Sequence, residues 1–126
     1  MTPKRVLLVD DEPDIREVAR ISLEMVGEWA VLTEASGAAA LRRAAAERPD
    51  AILLDVMMPD MDGPTTFERL RADPATAPIP VILLTAKLLP SDQRQFEGLG
   101  VKGVIAKPFD PMTLARQVAG LLGWSP

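Results

Sequence analysis

Asp10 and Asp11 end the apolar run Val6-Leu7-Leu8-Val9, and Asp55 ends a second run, Ala51-Ile52-Leu53-Leu54. Short, near-continuous apolar runs of this kind read as strands buried on both faces of a parallel sheet. Their ends then set three carboxylates on one edge. Like charges held close disfavour one another's ionised form, so such a cluster asks for a counter-charge. A divalent cation supplies one, and Mg²⁺ is typically held by one or two carboxylates together with phosphate oxygens and water. Two more apolar stretches lead to groups of complementary chemistry. Thr85, a hydroxyl, follows Val81-Ile82-Leu83-Leu84, and Lys107, a cation, follows Val104-Ile105 at a short distance.

Taken singly, each of these groups has an ordinary reading. Asp-Asp after a strand is commonly a solvated turn or a helix cap, and Asp55 before a loop is open to the same reading. Thr85 is a good strand former, and Lys107-Pro108 is a loop with a solvated ammonium. What they do together depends on the elements that carry them.

The chain alternates strand and helix five times. Residues 5–9 form the first strand. A helix over Asp14 to Val26 turns Ile15, Val18, Ala19, Ser22, Leu23 and Val26 inward, with Pro13 in its first turn and Gly27 at its C-terminal cap. Trp29 to Glu34 form the second strand. Ser36 caps a helix running to about Glu47, with Ala38, Leu41 and Ala45 facing in, and Pro49 stops it. Ala51 to Leu54 form the third strand. A loop over Met57 to Pro64 leads to a helix ending near Arg71. Pro80 fits only the first position of the fourth strand, Val81 to Leu84. Ser91 caps a short helix to about Glu97, ended by Gly98 and Gly100. Val104-Ile105 lies in a short fifth strand. Asp110-Pro111 opens the last helix, with Leu114, Val118, Leu121 and Leu122 inward.

This alternation predicts an α/β fold with a parallel sheet covered on both faces. Four strand ends carry polar chemistry: Asp10 and Asp11, Asp55, Thr85 and Lys107. The second strand ends in Thr33-Glu34-Ala35, with nothing comparable. The order 2-1-3-4-5, that of the flavodoxin-like doubly wound (βα)5 fold, puts the four reactive ends side by side. They then line a crevice at the carboxyl edge, where such sheets bind ligands.

Composition bounds the rest. The chain has 126 residues, 48% of them apolar and 25% charged, as in an ordinary soluble globule. That length is enough to bury a core without staples, and one domain over 1–126 with no output domain is expected. No apolar run reaches the roughly 18 residues of a membrane span. Met1-Thr2-Pro3-Lys4-Arg5 leads straight into a strand, without the apolar stretch of a signal peptide. A cytoplasmic location is the default, with no membrane contact. The absence of cysteine excludes disulfide and thiol chemistry. A net charge of −4 argues against direct nucleic-acid contact. The chain also lacks histidine, so any phosphohistidine chemistry must use a histidine on another molecule.

Four segments together carry a resemblance: Val6-Leu7-Leu8-Val9-Asp10-Asp11-Glu12; Ile52-Leu53-Leu54-Asp55 continuing through Met57-Met58-Pro59-Asp60-Met61-Asp62-Gly63; Leu84-Thr85-Ala86-Lys87; and Lys107-Pro108-Phe109. In order and spacing they resemble the signature segments of receiver domains of two-component response regulators. The resemblance spans essentially the whole chain and is nearest to the single-domain, chemotaxis-type members. It implies that Asp55 takes a phosphoryl group from a phosphohistidine on a sensor histidine kinase or histidine phosphotransfer protein. It implies direct Mg²⁺ ligation by Asp11, Asp55 and the Met57 backbone carbonyl, with Asp10 acting largely through water. Lys107 would neutralise a phosphoryl oxygen, and Thr85 would donate its hydroxyl to another. The Lys107-Pro108 bond is expected to be cis. Gly63 is expected to meet a backbone need such as a positive φ.

The same resemblance implies a switch. Thr85 moving toward the added oxygens would draw residues 86–90 with it and alter the surface of the fourth helix, fifth strand and last helix. Leu88 and Leu89 are candidate contacts there for an unknown downstream protein, and are read equally well as packing under the short helix. The chain would act as a monomer or a phosphorylation-dependent dimer. It would be no enzyme beyond catalysing its own aspartyl phosphorylation and dephosphorylation. The family usually carries Tyr or Phe at the position of Val104, so the coupling through that residue departs from the pattern. Met57 and Lys87 flank the reaction site and are expected to slow loss of the phosphoryl group. Two other readings stand beside this one. A phosphatase with an aspartyl nucleophile would want an acid/base aspartate where Met57 stands. A degenerate receiver acting as a constitutive interaction or dimerisation module would not need the intact set of Asp10, Asp11, Asp55, Thr85 and Lys107.

Overall fold

Five parallel strands hydrogen-bond in the order β2-β1-β3-β4-β5, with a helix after each. The computed structural model describes residues 3–86 and 90–124. The strands are β1 (Arg5–Val9), β2 (Ala30–Glu34), β3 (Ala51–Asp55), β4 (Val81–Thr85) and β5 (Gly103–Ala106). The helices are α1 (Pro13–Met25), α2 (Gly37–Glu47), α3 (Gly63–Ala72), α4 (Pro90–Glu97) and α5 (Leu114–Leu122). Among the described residues no helix is long and apolar enough to cross a membrane.

Alternation of side chains along each strand divides the core in two. Leu7, Val9, Ile52, Leu54, Val81 and Leu83 point to one face, where Ala40 and Ala44 of α2, Phe67 and Leu70 of α3 and Phe96 of α4 meet them. Val6, Leu8, Leu53, Ile82, Leu84 and Ile105 point to the other, under Ala19 and Leu23 of α1 and Leu114 and Val118 of α5. Both faces of β1, β3 and β4 are therefore buried. This is why their sequences are runs of apolar residues rather than apolar-polar alternations. Each such Leu, Ile or Val contributes about 1.5–3 kcal/mol relative to exposure.

Helix phase departs from expectation in places. On α2 the buried residues are Gly37, Ala40 and Ala44, with Leu41 half-buried; Ala45 is exposed and Ala38 only half-buried. An alanine-rich helix has little apolar contrast around its circumference, so its sequence does not fix the inward face. On α1, Val18 and Val26 are 44% and 40% exposed rather than inward. Asp110 and Pro111 lie in a turn before α5, not in the helix: the Asp110 carbonyl accepts from Thr113 and Leu114. Leu121 is exposed along part of its surface, although its side chain covers Gly103. Helix α4 begins at Pro90, so Ser91 lies inside its first turn rather than at the cap; proline is well suited to a first helical position. At the end of α1 the left-handed residue is Glu28 (φ 58°), not Gly27.

Candidate functional site

The register of the strands decides which polar ends meet. β1, β3, β4 and β5 are consecutive in the sheet, so Asp10 and Asp11, Asp55, Thr85 and the residue after β5 all emerge along one edge. Carboxylate oxygens of Asp10, Asp11 and Asp55 all lie within 4.8 Å of one another. Asp10 is fully buried and Asp55 is 3% exposed, whereas Asp11 is half-buried. Lys107 reaches in from the loop after β5. Its Nζ lies 2.9 Å from Asp10 Oδ2, 3.2 Å from Asp55 Oδ1 and 3.7 Å from Glu12 Oε1. Thr85, 1% exposed, ends the strand between Asp55 and Lys107, and its carbonyl accepts from the Lys107 amide at 2.8 Å. The Lys107-Pro108 bond is cis, as expected.

Among the described residues the Asp10, Asp11 and Asp55 carboxylates share the one ammonium of Lys107, and the charge balance shows in the ionisation of Asp55. Burial first, and then the neighbouring Asp10 charge, raise its carboxyl to a pKa of about 6, with Lys107 only partly offsetting both. Burial alone would lower the pKa of Lys107. The hydrogen bond and charge of Asp10, then of Asp55, outweigh it, so the ammonium is held above its ordinary range. The net negative excess, buried oxygen ligands and half-open Asp11 fit a hard divalent cation such as Mg²⁺. Asp11, Asp55 and the Met57 carbonyl are the residues that would hold it.

Met57 has an exposed side chain (61%) at the mouth of a cleft shared with Asp55, Ile15 and Pro108, and its amide lies 3.4 Å from Asp55 Oδ1. Gly63 is required, but not for a positive φ. A Cβ there would stand 2.7 Å from the Asp55 carbonyl oxygen and 2.9 Å from the Val56 Cα. The start of α3 therefore passes directly against the backbone of Asp55. Val104 is half-buried and packs on the core face shared with α2, α3 and α4. Lys87, Leu88 and Leu89 lie outside the described residues.

Sequence reading passes over two polar residues that shape this edge. Asp60, in the loop after β3, accepts from the amides of Gly37 (3.2 Å) and Ala38 (3.0 Å), so a carboxylate of that loop closes the first turn of α2. The Ala38 hydrogen bond leads in holding its pKa below the usual carboxylate range. Arg16 Nη1 donates to the Asp10 carbonyl at 2.7 Å. Neither bond leaves a sequence signal, because each joins a helix to a loop or strand end from another part of the chain or around a turn.

Comparison with known proteins agrees with the geometry. The family model described as the response regulator receiver domain matches residues 6–119. The DNA-binding dual master transcriptional regulator RpaA of Synechocystis is 39% identical over 118 residues, covering 94% of this chain and 48% of that protein. The response regulator PleD of Caulobacter vibrioides is 41% identical over 119 residues, covering 93% of this chain and 26% of that protein. The chain thus spans half or less of the length of these relatives. Among solved structures, the chemotaxis response regulator CheY4 of Vibrio cholerae superposes with a TM-score of 0.88 at 32% identity, covering 95% of this chain and 99% of that one. The receiver domain of sensor histidine kinase PA1611 from Pseudomonas aeruginosa, with a magnesium ion coordinated in its active-site cleft, gives 0.85 at 33% identity over 97% and 99% of the two chains. The match over most of its length, on the sheet order that gathers its acidic edge, places this chain in the response regulator receiver domain family.

Proposed function

We propose that Asp55 accepts a phosphoryl group from a phosphohistidine on a sensor histidine kinase or a histidine phosphotransfer protein. The observation that carries this reading is the buried Asp55 carboxylate, with Asp10 and Asp11 oxygens within 4.8 Å, Lys107 Nζ at 3.2 Å and Thr85 on the next strand. A carboxylate is a competent phosphoryl-accepting nucleophile, and phosphoryl transfer asks mainly for positioning and charge stabilisation. An Asp55 oxygen attacks phosphorus as the P–N bond of the donor breaks. The bonding pair returns to the donor imidazole, which takes a proton from solvent. Mg²⁺, when bound, supplies charge neutralisation for the phosphoryl oxygens and holds Asp55 ionised. Lys107 sheds part of its pairing with Asp55 and takes up one phosphoryl oxygen; the Thr85 hydroxyl takes another.

In this reading Asp55 and Lys107 are the reacting and charge-bearing groups, Thr85 reads the modification, and Asp10 keeps Lys107 in place. The chain acts only on itself and signals by altering the surface it offers to a downstream protein. The complete set of polar groups favours this over a degenerate interaction module, which would have no use for a buried charge cluster. The test is incubation with Mg²⁺ and acetyl phosphate, read by intact mass. We expect a gain of one phosphoryl group, abolished by Asp55→Asn and by chelator. Modification that survives Asp55→Asn would overturn the assignment. Light scattering on the same samples reads whether modification changes the oligomeric state.

A further inference from the structure

We infer that Arg16 is a positioning residue for Mg²⁺ binding, acting through the peptide bond that joins Asp10 to Asp11. This rests on the metal-dependent reading of the site given above. Every polar group of Asp10 is anchored, each by a different part of the fold. Its amide donates to the Glu34 carbonyl at the end of β2 (3.1 Å). Its Oδ1 accepts from the Glu12 amide (2.9 Å), and its Oδ2 from Lys107 Nζ (2.9 Å). Its carbonyl accepts from Arg16 Nη1 (2.7 Å). The Glu34 and Lys107 bonds hold the start of the Asp10 backbone and its side chain, and the Glu12 bond closes a turn across Asp11. Among the described residues the Arg16 bond is the one that holds the carbonyl of the peptide plane leading into Asp11.

Asp11 needs such help. It is half-buried, in a bend between β1 and α1, and it is one of the two carboxylates that would contact the ion directly. A planar peptide bond leaves its orientation to the two flanking dihedrals, so pinning the carbonyl oxygen pins the amide that leads into Asp11. Arg16 is well suited to this. It sits in the second turn of α1, whose start is set by Pro13 and by the bond from the Arg16 amide to the Glu12 carbonyl (3.0 Å). Among the described residues its guanidinium makes no ion pair within 4.0 Å; Nη1 donates to the neutral Asp10 carbonyl, and Glu17 feels its charge from farther off. A cation meant only to balance charge would bond the carboxylates themselves, as Lys107 does.

The two roles open to Arg16 predict opposite signs. As a bare positive charge it would repel Mg²⁺, and its removal would tighten binding. As an anchor for Asp11 its removal weakens binding. Calorimetric titration of Mg²⁺ into the whole chain at neutral pH separates them. We expect Arg16→Met to weaken Mg²⁺ binding about tenfold, at the low end of the effect of groups that orient metal ligands. Arg16→Lys, which keeps the charge and one donor, should fall between. With acetyl phosphate, Arg16→Met should need more Mg²⁺ for half-maximal phosphorylation yet reach the wild-type rate at saturation. Unchanged or tighter Mg²⁺ binding in a folded Arg16→Met protein would overturn the inference. So would a rate that stays low at saturating Mg²⁺, since that would put Arg16 on the phosphoryl group itself. If Arg16→Met does not fold, Arg16→Lys decides alone: a wild-type affinity overturns the inference, a weakened one supports it. Wild-type protein that binds no Mg²⁺ would overturn both this inference and the proposed function; wild-type binding matched by Arg16→Met overturns only this one.

Discussion

At its carboxyl edge the sheet buries Asp10, Asp55 and Lys107 against one another, whereas its amino edge is closed by two tryptophans and an exposed ion pair. Trp29, just before β2, meets Trp124, just after α5, edge to face, with ring centroids 5.1 Å apart, and Lys4 Nζ lies 5.1 Å over the Trp124 ring. Nearby, Arg5 pairs with Glu47 at 2.7 Å, with both side chains over a third exposed. The strands between the two edges are the same, so the difference lies in what each end is made to hold. The amino edge gains from apolar contact and leaves its charges in water, where pairing is cheap and weak. The carboxyl edge keeps charges out of water with an uneven count of carboxylates and ammonium. It holds a local negative excess of the kind a divalent cation could offset.

Four measurements test that contrast, from the largest expected effect to the smallest. Lys107→Met removes the ammonium that pairs with Asp10 and Asp55 and leaves those buried carboxylates without that partner. It should destabilise the Mg²⁺-free protein by about 3 kcal/mol at pH 7 in urea unfolding, as removal of one member of a buried pair does. The loss should shrink at pH 5, where Asp55 takes up a proton. Equal losses at both pH values would mean that Lys107 does not hold Asp55.

Asp55→Asn should act in the opposite direction. The folded-state pKa of Asp55 is raised to about 6 from an ordinary 3.8, so the folded protein binds a proton that the unfolded chain releases. Stability therefore falls as pH rises from near 4 to near 6 and is level above. Asn escapes this loss, and the variant should be more stable at pH 7 in chelator by about 2 kcal/mol, with the gain vanishing toward pH 4. A variant no more stable than wild type at pH 7 would remove the claim that this edge stores unfavourable charge.

At the amino edge, Trp29→Leu should cost about 1 kcal/mol, the scale of a lost aromatic pair, and leave Mg²⁺ affinity and the pH profile of stability unchanged. Any change in Mg²⁺ affinity would show that the two edges are coupled through the sheet. Glu47→Gln should change stability by no more than about 0.5 kcal/mol, as for an exposed pair. A larger loss would move that pair out of the weak, solvated class and blur the contrast.

Much of this molecule could be read in its residues. The strands were legible because burial on both faces forces unbroken apolar runs. The acidic edge was legible because Asp10, Asp11, Asp55 and Thr85 stand immediately at the ends of such runs, and Lys107 two residues beyond Ile105. Less legible were features set by packing at a distance. Ala40 and Ala44, rather than Ala38 and Ala45, face the core because α2 is positioned by β1, by α3 and by the Asp60 carboxylate at its first turn. Gly63 reads as a turn glycine, yet its requirement comes from the Asp55 backbone passing 2.7 Å from where a Cβ would stand.

By itself, then, the sequence determined the architecture and the identity of the polar groups. Periodicity and strand-end chemistry are local, and each residue carries them wherever it goes. The tertiary structure alone decided the electrostatics: that Lys107 bonds both Asp10 and Asp55, that Asp55 is held to a pKa of about 6, and that Arg16 turns back to the Asp10 carbonyl. Charge interactions depend on separation and burial to within an ångström or so. Both are settled only when β5 docks beside β4 and α1 closes over β1.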